Sequence, residues 1–263
     1  MTKENGRVAM VTGANGAIGL GICQGLAEHG LEVVMVCRNA EKARQAARAV
    51  EQAVAGARLR TETVDVSRKA EVFAFAGRFA GRLDVLVNNA AIAPRRRSET
   101  PEGIELEFAT NVLGYAWMMQ AFAQALAASA PARIVNVASY WAGDLDLDDV
   151  QFKQRDYNND TAYRQSKQCD RMLTVAFAKQ LSPAGITVNA CHPGDVHSTL
   201  SHSLGYGGHE TPAQGADTPV WLATDAQVAS VTGKYFAARR QQSCEFARDE
   251  HAIARLVAIC AGL

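Results

Sequence analysis

The chain has 263 residues, of which 48% are apolar and 21% charged, a balance that excludes a disordered or fibrous protein. Its 27 Lys and Arg residues offset 27 Asp and Glu residues to zero net charge, which argues against a role resting on an overall field toward nucleic acid or an anionic membrane. At roughly 150 residues per domain the length allows one or two, and α/β chains of this size often form one, so one domain over residues 1–263 is expected.

Residues 1–7 are short and polar and are expected to leave no room for a signal peptide. Residues 8–12 then form an apolar, β-branched run that predicts a strand, and 17–29 predict a helix. The pattern repeats: strand 32–37, amphipathic helix 41–55, strand 59–64, helix 69–79, strand 83–87. A long helical region covers 102–129, followed by strand 133–138, helix 161–181 closed by Pro183 and Gly185, and strand 186–191. Short apolar strands separated by helices predict a doubly wound, mostly parallel sheet with helices on both faces. Ligands bind such sheets beyond the carboxyl ends of the strands. No stretch of about 18 apolar residues is present to span a bilayer. The six cysteines are scattered without a CxxC pair, which reads as the reduced thiols of a cytoplasmic protein.

The loop Thr12-Gly13-Ala14-Asn15-Gly16-Ala17-Ile18-Gly19 joins the first strand to the first helix. Gly13 permits a tight turn, Gly19 permits helix to pack closely on strand, and the helix N-terminus offers N–H groups to a pyrophosphate. In an alternating chain this is a dinucleotide site in a Rossmann-type domain. The second strand ends Cys37-Arg38-Asn39. No carboxylate stands there to bind a ribose 2′-hydroxyl, and Arg38 suits a 2′-phosphate, so NADP is favoured.

Tyr163 and Lys167 lie four residues apart and share a helix face. An unperturbed tyrosine has a pKa of about 10. A nearby ammonium lowers it, so Tyr163 is expected to exchange a proton with a carbonyl or alcohol oxygen near neutral pH.

With these residues on the page, the chain resembles the short-chain dehydrogenase/reductases over nearly its whole length. The loop ending Ala17-Ile18-Gly19 is similar to the family's TGxxxGIG, and Asn88-Asn89-Ala90-Ala91 to its NNAG, with Ala91 in place of glycine. Asn111, Ser139 (after Ala138), the pair Tyr163 and Lys167, and His192-Pro193-Gly194 match in order. The retinol-dehydrogenase-like branch, similar also to light-dependent protochlorophyllide reductase, is the nearest resemblance. It shares Cys37-Arg38-Asn39, Thr110 to Gly114, Cys191 to Gly194, Thr232 to Phe236, and a long gap between Ser139 and Tyr163.

The resemblance implies a seven-stranded sheet binding NADP or NADPH, and hydride transfer between nicotinamide and a carbonyl or alcohol. It implies Tyr163 as general acid/base and Lys167 as ribose ligand that depresses the tyrosine pKa. Ser139 would hold the substrate oxygen, and Asn111 a water leading from Lys167 to solvent. The cofactor would be lined by Gly13, Asn15, Gly16, Ala17, Ile18, Gly19, Arg38, Asn39, Asp65, Val66, Asn89, Ala90, Ala91, Pro193, Gly194, Val196 and Ser198. Asp195 is a departure that brings a carboxylate toward the nicotinamide.

Residues 140–160 (Trp141, Phe152, Tyr157) and 198–215 (His202, Leu204, Tyr206, His209, with Gly207-Gly208) are the expected substrate loops. Their aromatics either meet an apolar or aromatic small molecule or pack the loops. His192, His197, His202 and His209 match no metal spacing, so no metal is expected. Arg95-Arg96-Arg97 reads as a solvated run or an anion lure. Two other readings stay open: a non-redox dehydratase or cyclase on the same fold, and a catalytically silent NADP-binding protein. The helices 102–129 and 161–181, with Ala121, Ala125 and Ala128, suit a homodimer or homotetramer interface or the core.

Overall fold

Val8–Thr12 (β1) is buried at all five positions, because it lies inside a sheet with a layer of helices on each side. The computed structural model describes residues 6–263, so the polar opening of the chain lies, up to residue 5, outside the described residues. Ala17–Glu28 (α1), Glu32–Cys37 (β2), Ala40–Ala53 (α2), Arg58–Thr63 (β3), Lys69–Arg78 (α3) and Val85–Asn88 (β4) follow in the predicted alternation. Next come Gly114–Ala121 (α4), Ala123–Ala128 (α5), Ala132–Val137 (β5), Asn159–Leu181 (α6), Ile186–His192 (β6), Thr199–Ser203 (α7) and Pro212–Thr224 (α8). The chain closes with Tyr235–Ala237 (β7), Arg240–Gln242 (β8) and Glu250–Ala261 (α9).

Among the described residues the strands form one sheet in the order β3-β2-β1-β4-β5-β6-β7-β8. The seven strands from β3 to β7 pair in parallel, as expected of a doubly wound α/β sheet. The family resemblance implies seven strands; an eighth, antiparallel strand is added at the edge. Ala238 and Arg239, at φ +47 and +57, make the two-residue turn between β7 and β8. The strand order reverses between β1 and β4, which opens a crevice at their carboxyl ends.

One helical layer contributes Val72 and Phe75 of α3, Trp117 of α4, Phe177 of α6 and Leu256 of α9. The other contributes Ile22 and Leu26 of α1, Val50 of α2 and Val220 of α8. Ala121 and Ala125 pack against the first core. In the same core Ile253, Leu256 and Cys260 of α9 join Cys169 and Met172 of α6, so part of α6 is covered from within the chain.

The predicted continuous helix over 102–129 is corrected. Residues 102–105 are not helix, Phe108–Leu113 is a π-helical turn, and Phe122 breaks α4 from α5. The Glu105 carboxylate starts the turn by accepting the N–H groups of Glu107 (2.9 Å) and Phe108 (2.6 Å). The widened turn carries Asn111, whose side chain bonds a different loop; inserted π turns often mark functional positions. Among the described residues no helix is long and apolar enough to cross a membrane.

Candidate active site

The glycine loop is built by close approach. Gly13 has φ +64, and a Cβ there would lie 2.8 Å from the Ala90 Cα. Thr12 Oγ1 accepts the N–H groups of Asn89 (2.9 Å) and Ala90 (3.1 Å), and Asn89 Nδ2 donates to the carbonyls of Thr12 (2.9 Å) and Gly13 (3.2 Å). These bonds tie the end of β1 to the end of β4. Gly16 N-caps α1 without a side-chain bond, so the first-turn N–H groups of Ala17, Ile18 and Gly19 face the crevice open to an anion.

Arg38 is exposed beside the buried Cys37. Asn39 is held otherwise than expected: its side chain caps α2 by accepting the Lys42 N–H at 2.9 Å. Asp65 accepts the backbone and hydroxyl of Ser67 (3.0 and 2.7 Å) and is thereby fixed after β3, and Val66 is buried against Gly114. Ser198 caps α7 through a reciprocal pair with Ser201, which occupies its hydroxyl.

Ser139, Tyr163, Pro193, Gly194, Val196 and Ser198 line one narrow cleft, together with Ile18 from α1 and Leu204 and Tyr206 from the 198–215 loop. Asn15, Ala91 and Arg38 lie outside that cleft's lining. A roomier cavity of about 400 Å³, between Phe73, Ile104 and Trp117, contains none of the candidate side chains. Ser139 Oγ accepts the Trp141 N–H at 3.0 Å, and the Ser139 and Tyr163 side chains line the same cleft. The Ser139 carbonyl is held by the Arg171 guanidinium, which stacks on the Tyr235 ring at 3.7 Å.

Asn111 is fully buried. Its Oδ1 accepts the Ile92 N–H (2.9 Å), and its Nδ2 donates to the Ile92 carbonyl (3.0 Å) and to Ser166 Oγ (3.1 Å). It therefore locks the loop after β4 to α6. Glu107 lies one turn earlier, 3.4 Å from Asn111 Nδ2, and its other oxygen is 2.8 Å from the Tyr157 hydroxyl. Burial pushes the Glu107 carboxyl up to about 9, so it is protonated at neutral pH.

The expected partnership of Tyr163 and Lys167 is corrected. Lys167 Nζ lies 5.7 Å from the Tyr163 ring centroid and donates instead to Asp170 Oδ2 (2.8 Å) and the Val137 carbonyl (3.1 Å). Burial pushes the Tyr163 hydroxyl well above its ordinary range; the Ser139 side chain pulls it back only in part. Burial opposes the Lys167 charge, but Asp170 and Tyr115 more than offset this and hold it as an ammonium.

The loop aromatics divide. Tyr157 meets Glu107 and the Pro94 carbonyl, and Phe152 packs on Tyr157 under Arg155, so these two order their own loop. Trp141 and Tyr206 pack ring to ring, with centroids 4.6 Å apart and planes tilted by 58°, and so join the two substrate loops. His192 lies against the Tyr140 ring, and burial lowers it to about 4, so it is neutral. Arg97 is spent on Gln151 and Glu99, whereas Arg95 and Arg96 are exposed. Among the described residues no three His, Cys, Asp or Glu side chains converge as metal ligands. Sequence reasoning missed Glu107, Asp170, Arg171 and Glu210, whose carboxylate lies over Gly194. Helical spacing was the available signal: Glu107 precedes Asn111 by four, and Asp170 follows Lys167 by three.

The sheet order, the glycine cradle and the Ser139–Tyr163 cleft define a nucleotide-binding oxidoreductase architecture. Residues 7–206 match the short chain dehydrogenase family, and the chain belongs to that family. Its similarity falls in the retinol-dehydrogenase-like branch: it is 31% identical to retinol dehydrogenase 13 of Mus musculus, across 95% of this chain and 81% of that protein. A solved protein from Mycobacterium paratuberculosis superposes with a TM-score of 0.82 at 24% identity, covering 100% of this chain and 94% of that one, and shares the fold. A short chain dehydrogenase from Burkholderia cenocepacia J2315, solved in complex with NADP, gives a TM-score of 0.72 at 25% identity, covering 90% and 97%.

Proposed function

We propose that this oxidoreductase uses NADP to interconvert a carbonyl and an alcohol on an apolar or aromatic small molecule, with Tyr163 as the acid/base. The observation that carries the reading is that Ser139 and Tyr163 line one cleft together with Ile18 of the glycine cradle. Gly13 and Gly19 leave the room, and the open start of α1 the N–H groups, that a pyrophosphate needs. Arg38 is exposed where a 2′-phosphate would fall, and the NADP held by the Burkholderia relative supports that choice. When bound, the nicotinamide supplies or accepts the hydride. Ser139 fixes the substrate oxygen, and Tyr163 gives it a proton in reduction or takes one in oxidation. Lys167 is enclosed and held by Asp170 and the Val137 carbonyl, and it would reach a ribose only on leaving them. Six free cysteines, most of them buried, suit a reducing cytoplasm.

The test is a panel of aromatic and apolar carbonyls with NADPH, read by nicotinamide absorbance and product analysis. Tyr163→Phe is expected to lower kcat roughly 100- to 10,000-fold while leaving NADPH affinity intact. Full activity in that variant overturns the role of Tyr163. Product without a change in absorbance points to a dehydratase or cyclase instead. Tight NADPH binding with no turnover on any carbonyl points to a silent binding protein.

A further inference from the structure

Lys167 is enclosed by the protein. Its side chain is 2% exposed, and that of Asp170 is 0% exposed. The two meet at 2.8 Å, with the Val137 carbonyl at 3.1 Å and the Tyr115 ring centroid 5.1 Å from Nζ. The second Asp170 oxygen has no hydrogen-bond partner. A carboxylate this deeply buried stays ionised only beside an opposite charge. Lys167 supplies it.

The converse matters for the chemistry. An ammonium neutralised at contact distance presents Tyr163 with a dipole, whose field falls off faster than that of a lone charge. Taking Tyr163 as the acid/base, we infer that Asp170 is a positioning residue that absorbs the Lys167 charge, keeps the phenol protonated, and so sets the pH at which the site begins to oxidise an alcohol. Reduction needs the phenol as a proton donor; oxidation needs the phenolate as an acceptor.

The groups packed around the pair leave Asp170 as its counter-charge. Tyr115 comes from α4, Glu107 from the residues before the π turn, Cys191 from β6, Cys260 from α9, and Tyr163 and Cys169 from α6 itself. Burial pushes Tyr115 and the three thiols up, and Glu107 to about 9, so all are neutral near pH 7. Tyr163 is itself pushed up by burial and then by the charges of Asp170 and Asp195.

The experiment compares the parent with Asp170→Asn, which keeps shape and removes charge. For each, kcat/KM is measured against pH, for alcohol oxidation with NADP and for carbonyl reduction with NADPH. Asp170→Asn is expected to move the midpoint of the oxidation limb, and with it that of the reduction limb, down by about one pH unit or more. Asp170→Glu, which keeps the charge, should hold the parent midpoint. A folded Asp170→Asn protein with lower activity but an unmoved midpoint overturns the inference and leaves Asp170 with a packing role.

A second readout needs neither turnover nor a folded Asp170 variant. The ultraviolet tyrosinate titration of the parent, less that of Tyr163→Phe, gives the Tyr163 midpoint directly. It is expected above the ordinary tyrosine value of about 10; a midpoint below that overturns the inference whatever the variants do. If Tyr163→Phe keeps the oxidation limb, the acid/base reading fails, and the tyrosinate difference still tells whether the phenol is held protonated.

Discussion

A Cβ on Gly19 would overlap the carbonyl oxygen of Gly13 and stand 2.8 Å from Asn89 Nδ2. The same Asn89 nitrogen donates to the Gly13 carbonyl, so one methyl would push apart the turn, the helix start and the loop after β4 together. Gly19→Ala is expected to cost about 1–3 kcal/mol of stability and to weaken NADPH binding at least roughly tenfold, because the α1 N–H groups lose their aim. Thermal melts and NADPH fluorescence titration measure both. Parent-like affinity in a folded variant would remove the cradle from the cofactor site.

Arg38 and Cys37 are neighbours with opposite fates: the thiol is buried under the sheet and the guanidinium stands in solvent. An exposed arginine at the end of β2 contributes little to folding, so changing it should act on the cofactor alone. Arg38→Asp is expected to lower the NADPH-to-NADH ratio of kcat/KM by roughly tenfold or more, because a carboxylate repels the 2′-phosphate and accepts the 2′-hydroxyl. An unchanged ratio would make Arg38 a solvated surface group.

The strands that bound the crevice were legible because their apolar runs are local facts. β1 and β2 coincide with the predicted 8–12 and 32–37. The break in the helix predicted over 102–129 was not, because it depends on a long-range bond between Asn111 and Ile92; apolar periodicity runs through the π turn undisturbed. β8 escaped because Arg240–Gln242 is exposed at every position and carries no hydrophobic signal. Glu107 and Asp170 escaped for the opposite reason. Charged residues read as solvent-facing, and only the tertiary packing shows both carboxyls in the interior beside Asn111 and Lys167. The order of the motifs thus located the site, while the electrostatics of the Tyr163–Lys167 pair were decided by a neighbour outside them.

Glu107 makes a pH-dependent contribution with a definite sign. Its carboxyl is raised by folding from 4.5 to about 9, so as pH climbs the unfolded chain gives up this proton first and gains relative to the folded one. Stability is unaffected by the group below the lower value and erodes between the two. Glu107→Gln keeps an acceptor toward Asn111 and a donor toward Tyr157 and never ionises. The variant is expected to be more stable than the parent by about 1–3 kcal/mol near pH 8, and equal to it near pH 4. Denaturant melts at the two pH values check this; a gain independent of pH would place the proton elsewhere.

Trp141 follows Ser139 in the chain, and Tyr206 belongs to the loop that lines the cleft from the other side. Their ring centroids lie 4.6 Å apart, so the pair offers apolar ring surface to an incoming apolar group. Both rings belong to the substrate loops and neither carries the acid/base proton, so removing one should change how substrate is held and leave the proton transfer intact. Tyr206→Ala is expected to raise KM for aromatic carbonyls at least roughly fivefold with kcat within about threefold, the pattern of lost ground-state binding. Small aliphatic carbonyls, too short to reach the pair, should lose much less. If KM for the aromatic substrates stays at the parent value, the pair packs the two loops against each other and substrate selection lies deeper, at His192 and Leu204.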